Sequence, residues 1–426
     1  MPTPAKAIPK KPRESEEDKD EAATLALCDA ALGLALAAAR ARTSPQAGQE
    51  QEQEQEQEQE QEQVEFRRMI KRSLHQKKDD VLYDALARAE SLDRRAAVLL
   101  KESIEAAAES TVIERDARKL EINVFIIPVF LHTTGGLDPA RCFQDQDAFE
   151  LLSKSLQAGQ LESAQATVVL VNHGYHLNEI DGITFSHLHE MLRDAFVAMT
   201  DKRVAAMPAI DRSFGGWPDN PFAPDDRAIE LRFLLGFSLK AVDDPFYAIP
   251  EDDDAADAWF AARELRFQQW TASAAPLVRR CFALSDKADL NAHADDIHFL
   301  YQDLFHGGKE RGIAEYFMLQ MISELNAALE QAGIDGAQTR AVMGPLEVNG
   351  EAMLRVRLHA ATDDALIVQA DKPVPGIADW ETEFADAHGA LGMIGVQSVS
   401  LAREFERDGS PRDARAYLGS EQADAA

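Results

Sequence analysis

Cysteine is scarce in this chain. The 426 residues hold three, Cys28, Cys142 and Cys281, with no spacing that makes a pairwise motif. That excludes a disulfide scaffold and a cysteine-based zinc site, and it suits a reducing compartment. Positive charge is the second shortage. Lys and Arg number 44 against 74 Asp and Glu, a formal charge of −30. A surface this acidic argues against coating nucleic acid or attaching electrostatically to anionic lipid. Long apolar runs are also few. The longest candidate, Ala22–Ala39, is mostly Ala and Leu and is interrupted by Asp29 and Gly33. It reads as a helix packing on protein, since Asp29 is costly in a bilayer. The basic start, with Lys6, Lys10, Lys11 and Arg13, runs into an acidic stretch, Glu14–Glu21, where a secretory signal would turn apolar. The expected location is the cytoplasm.

Standard chemical signatures are missing too. No Gly-x-Gly-x-x-Gly follows a strand, and no Gly-x-Ser-x-Gly elbow occurs. Gly307-Gly308-Lys309 lacks the upstream Gly and the following Ser or Thr of a phosphate loop. No cofactor is therefore expected, and no catalytic residue can be named.

What is present is organisation. Residues 1–63 hold a polar tail, the Ala/Leu helix and a strict Gln/Glu alternation over Gln49–Gln63. Like charges at i and i+4 and the lack of an apolar face make the alternation read as a solvated spacer. A basic cluster follows: Arg67, Arg68, Lys71, Arg72, Lys77 and Lys78. Phe66, Met69, Ile70 and Leu74 lie between these charges at helical spacing, which makes an amphipathic helix the simpler reading than an RNA-binding face. Two further stripes, Leu82/Ala85/Leu86/Ala89 and Leu92/Ala96/Leu99/Leu100/Ser103, complete a helical module over 64–117.

The pattern changes after Leu120. Ile122–Leu131 is a buried strand in which Pro128 must mark an edge or a bulge. A helix over Phe149–Leu156 precedes a strand over Thr167–Val171. A helix over Ser186–Met199, capped by Ser186, precedes a loop over Pro208–Pro224. Alternation over Ile229–Leu239 predicts a strand with Glu230, Arg232 and Lys240 on its polar side. This makes a layered α/β domain over 118–249. Pro250–Asp254 reads as the joint to an α+β domain over 258–406. Helices are expected there over Trp259–Thr271, Ala275–Phe282 and Glu310–Ala332. Strands over Arg340–Val348, Ala352–His359 and Ala365–Ala370 form a meander, with Asn349-Gly350 turning the first pair. A helix over Asp379–Leu391 and a strand over Met393–Leu401 follow, and 407–426 is a polar tail. The fold class is therefore mixed α+β: a helical module, then two layered α/β-type domains.

Several phrases resemble a proteobacterial family known as domain of unknown function 2863. They are Phe125-Ile126-Ile127-Pro128-Val129 after the helical Glu109–Glu114, and His176-Leu177-Asn178-Glu179-Ile180-Asp181. Further ones are Arg232-Phe233-Leu234-Leu235-Gly236, Gln269-Trp270 through Ala275-Pro276-Leu277, and Arg340-Ala341-Val342. The resemblance covers about residues 80–375. It implies a bacterial source and this layout. It implies no chemistry, because the family has none assigned. The sequence His132-Thr133-Thr134-Gly135-Gly136 departs from the aromatic-rich start that the family leads one to expect.

The most specific polar constellation is His173 and His176 at the end of a strand, followed by His187 and His189 at the start of a helix. Neutral imidazoles ligate zinc, iron or nickel, and Glu179, Asp181 or Glu190 could add an oxygen. Rings two apart on a helix point about 200° from each other, which opposes a shared metal. A second group, His293, Asp295, Asp296 and His298 with His306, reads as a polar helical surface. Arg355, Arg357 and His359 line one face of a strand, read as a solvated face opposite the core side chains Leu354, Val356 and Leu358. His132–Gly136 reads as a turn. The leading expectation is a non-catalytic interaction or regulatory module that meets a protein partner or forms a homodimer. The alternative is a metal-dependent enzyme using the 173–189 histidines.

Overall fold

The computed structural model describes residues 15–43, 49–115, 117–134, 137, 141–200, 227–284, 293–374, 379–406 and 409–417. The expected 208–224 loop and Gly135-Gly136 lie outside them. In chain order the elements are α1 (Glu16–Thr43), α2 (Gln49–His75), α3 (Asp79–Leu92), α4 (Arg94–Glu109), β1 (Ser110–Arg115) and β2 (Arg118–Thr134). Then come α5 (Gln146–Ala158), β3 (Thr167–His176), α6 (Leu177–Asp181), α7 (Phe185–Thr200) and β4 (Arg227–Ala241). The remainder is α8 (Asp253–Cys281), β5 (His293–Phe299), β6 (Asp303–Leu304), α9 (Phe305–Ala332), β7 (Thr339–Val348), β8 (Glu351–Ala360), β9 (Leu366–Pro373), α10 (Trp380–Met393), β10 (Ser398–Leu401), β11 (Glu404–Phe405), β12 (Pro411–Arg412) and β13 (Arg415–Ala416). Helices combine with antiparallel and mixed sheets in a mixed α+β fold.

The chain forms two compact units, residues 1–123 with 182–206, and residues 124–181 with 207–426. The first is a helical bundle. Leu27, Cys28, Ala31 and Leu34 of α1 are buried, and α1 packs on α2, α3 and α4. The same helix, over Glu16–Arg40, is long and apolar enough to cross a membrane by length and composition. Phe66, Ile70 and Leu74 bury the inner face of α2, as the helical spacing predicts. The Gln/Glu tract is helical, against expectation. Gln and Glu are good helix formers, and extending an existing amphipathic helix needs no new nucleus. Its acidic N-terminal half and its last-turn Arg72 and His75 also suit the helix dipole. Leu92 is exposed at the end of α3. Asp93 caps α4 by accepting from the amides of Arg95 and Ala96, so α4 buries Ala96, Ala97, Leu100, Ile104 and Ala108 instead.

Helix α7 belongs to this first unit, although it lies inside the 118–249 stretch. Its cap is not Ser186. Thr184 Oγ1 accepts from the His187 amide, and the Asp79 carboxylate accepts from both the Thr184 hydroxyl and the Ser186 amide. Ser186 itself is buried.

The second unit is built on two sheets. In the first, β2 pairs with β4, and β3 runs antiparallel to β4. On its other side β2 pairs with β5 and β6. Pro128 sits where that ladder is interrupted, between the Ile126–Asp303 and Val129–Phe299 pairs. The missing amide thus falls at an irregularity, as a proline in a strand requires. Helices α5 and α8 cover one face through a core that includes Ile127, Leu131, Leu152, Leu156, Trp270 and Phe282. The gap expected between the Trp259–Thr271 and Ala275–Phe282 helices does not occur, although Pro276 lies close to it. Burial of Trp270, Ala274, Val278 and Cys281 on both sides of the proline carries α8 through as one helix.

The second sheet has the order β13-β10-β7-β8-β9. The three-strand meander is present, and β10 joins β7 in parallel, which makes this sheet mixed. Asn349 and Gly350 both have positive φ, 55° and 87°, the pattern of a type I′ hairpin turn. Leu354, Val356 and Leu358 face α9 and α10 in the core, with Met321, Leu325 and Leu391 among their neighbours.

Candidate functional site

The histidine pairs fall in different units and have separate partners. In the second unit His173 Nε2 lies 3.1 Å from Glu179 Oε1, and both side chains are buried. Glu179 also accepts from the His176 amide at 2.6 Å. The Asn178 amide donates to His176 Nδ1 at 3.1 Å, which leaves the proton of the neutral ring on Nε2. Burial and then the nearby Arg232 lower the His176 pKa, against the pull of Glu179 and Asp181. In the first unit His189 Nδ1 bonds the Ala107 carbonyl at 3.1 Å, and its ring stands edge-on to His75. Burial and then His75 lower its pKa. His187 sits at the capped start of α7.

The oxygen candidates are also engaged. Glu190 pairs with Lys77 at 2.8 Å and Asp181 with Lys309 at 2.9 Å. Among the described residues, no group of three or more His, Cys, Asp or Glu is disposed to hold a metal ion.

The other sequence candidates rearrange. His293, Asp295, Asp296 and His298 lie on a strand, β5, and not on a helix. Pairing with β2 decides it: Asp296 lies opposite His132, and His298 opposite Phe130. His306 opens α9. On β8, Arg355 makes a two-bond pair with Asp371, Arg357 donates to the Gly409 carbonyl, and His359 Nδ1 bonds the Asp364 carbonyl at 3.0 Å. That face is internally paired. The basic cluster over 67–78 is partly matched as well, with Arg68 of α2 on Glu65 and Lys78, just before α3, on Glu16 and Asp20.

Two buried ion pairs escaped the sequence reading. Glu230 and Arg232 share one face of β4, the polar side of the alternation, and pair there in the interior. Burial pushes the Glu230 carboxyl up to about 7, against the pull of Arg232. Lys372 of β9 and Glu383 of α10 form the other pair.

The Lys372–Glu383 pair lies in the wall of a cleft of about 680 Å3 in the second unit. Helices α8, α9 and α10 and strand β5 enclose it. Phe267, Phe299, Met318 and Ile322 are buried at its floor, and Met393 stands 73% exposed at its mouth. Glu264, Glu315 and Asp386 line it, against Arg311 and His298. Arg311 is already engaged, donating to the Tyr301 carbonyl at 2.7 Å. The cleft is therefore apolar below and net acidic around the apolar part. The predicted stripe of α9 is shifted: Met318 and Ile322 join Met321, Leu325 and Leu329 in the second core, Ile313 and Phe317 are only partly buried, and Ala314 and Leu319 line the cleft from outside that core.

No family model, no curated protein and no solved structure matches this chain.

Proposed function

We propose that the chain is a non-catalytic interaction module whose 680 Å3 cleft receives an amphipathic helix with basic flanks from a protein partner. The cleft itself is the observation that carries this reading. Methionine and aliphatic side chains at a concave surface adapt to a helix laid into them, which is how helix-in-groove recognition works. The carboxylates of Glu264, Glu315 and Asp386 select positive charge beside the apolar anchors, and a net charge of −30 speeds the approach of such a partner. Membership of the family called domain of unknown function 2863 belongs to this proposal as to layout alone, and so does a cytoplasmic location.

The test uses a fluorescein-labelled 14-residue peptide of Leu and Lys patterned as an amphipathic helix, and a scrambled peptide of equal composition. Fluorescence anisotropy should give a Kd at least tenfold lower for the amphipathic peptide. Glu315→Lys with Asp386→Lys should weaken it by at least tenfold, and Met318→Glu likewise. Equal binding of both peptides, or unchanged binding by the variants, would overturn the proposal.

A further inference from the structure

A second concave surface lies on the other flank of α10. We infer that it binds a small planar anion, an aromatic ring carrying a carboxylate or phosphate. Its volume is about 710 Å3, within the range of small-molecule sites. Its aromatic walls are Trp380 and Phe384, one turn apart on α10 with ring centroids 5.4 Å apart, and Tyr417. Tyr417 is fixed in two ways. Its amide donates to the Val399 carbonyl at 2.9 Å, and its ring stands edge-on to His388. All three aromatic residues pack against the second core and still line the cavity, so they offer a ring a face to stack on.

Two arginines, Arg403 and Arg415, line the same cavity, with Asp413 as the one acidic side chain there among the described residues. Their backbones are held. The Arg403 amide donates to the Arg412 carbonyl at 2.9 Å, and Arg415 pairs with Leu401 across β13 and β10. Of the other arginines nearby, Arg340 pairs with Asp364 and Arg355 with Asp371, Arg357 donates to the Gly409 carbonyl, and Arg412 of the β11–β12 ribbon pairs with Glu404. Among the described residues, Arg403 and Arg415 make no ion pair within 4.0 Å. In a chain with 30 more carboxylates than Lys and Arg, two uncommitted guanidinium groups beside three aromatic rings are a place built for an anion. Guanidinium forks match carboxylate and phosphate and also stack on rings, which suits one ligand carrying both features. The cavity volume limits that ligand to small-molecule size.

Calorimetric titration tests this on the full chain. The probes are 2-naphthoate (ring and carboxylate) and adenosine monophosphate (ring and phosphate). The controls are 2-naphthalenemethanol, acetate and inorganic phosphate. At least one ring-bearing anion should bind with a Kd ten or more times lower than every control, and which one does so tells carboxylate from phosphate. Arg403→Gln with Arg415→Gln should weaken it tenfold or more, and Trp380→Leu should do so too. Both arginines are exposed, so the double variant should keep the wild-type circular dichroism spectrum. A failure of both ring anions to bind below 1 mM would overturn the inference. So would an affinity that the arginine variant leaves unchanged.

Discussion

Glu230 and Arg232 are two apart on β4 and therefore share a face of the strand. In an ordinary half-solvated strand that face would be wet. Here both side chains are 5% exposed or less. A buried carboxyl held up to about 7 binds its proton more tightly in the folded chain than in the unfolded one. Its contribution to stability is thus full below the unfolded value of 4.5 and is lost as pH rises through about 7. Urea denaturation should show stability falling between pH 5 and pH 7.5, with a component on the order of 2 kcal/mol that Glu230→Gln lacks. Identical pH profiles would contradict this. The Lys372–Glu383 pair makes a parallel case. Removing one partner strands the other charge, so Lys372→Met alone should cost about 3 kcal/mol, and Lys372→Met with Glu383→Leu should recover most of it. A double-mutant cycle from denaturant midpoints checks it. Neither pair was legible from the sequence. Period-two alternation tells that Glu230 and Arg232 share a face of β4 but not that this face is covered, and Lys372 lies beyond the strand expected over Ala365–Ala370, on the core side of β9.

At the scale of elements, local chemistry was readable where it acts alone. Asn349-Gly350 predicts its hairpin because a type I′ turn demands positive φ at both positions, and the structure has it. Gly350→Ala should cost about 1–2 kcal/mol, read from the urea midpoint, because a Cβ is strained at φ 87°. No cost would mean that the turn relaxes. The elements that differed from expectation are those decided by neighbours. The open ladder of β2 draws His293–Phe299 into a strand. Burial on both sides of Pro276 keeps α8 whole. Thr184, held by the distant Asp79 carboxylate, caps α7 in place of the expected Ser186. The β2 ladder, the core that buries α8 and the Asp79 carboxylate all come from distant parts of the chain, so no short window of sequence contains the whole reason.

For the whole molecule, the mixed α+β class followed from counting periodic segments, and the second core from the apolar faces of the meander and α9. The cleft was half visible. Ala314 and Leu319, apolar residues of α9 outside the second core, say that the helix has a second apolar contact. They do not say that α8, β5 and α10 leave it open. The histidines drew attention through spacing, yet His173 finds Glu179 six residues on, a pairing that requires β3 to run into α6. The functional reading therefore rests on a concave surface and its charge, and the direct question is where a helical partner sits. The Leu/Lys peptide bearing one benzophenone on its apolar face should be photolysed with the full chain and the adducts mapped by mass spectrometry. The account predicts adducts on Met318, Leu319 or Met393, lost when excess unlabelled amphipathic peptide is present. Adducts confined to the first unit, or spread over the surface and unaffected by competitor, would contradict it.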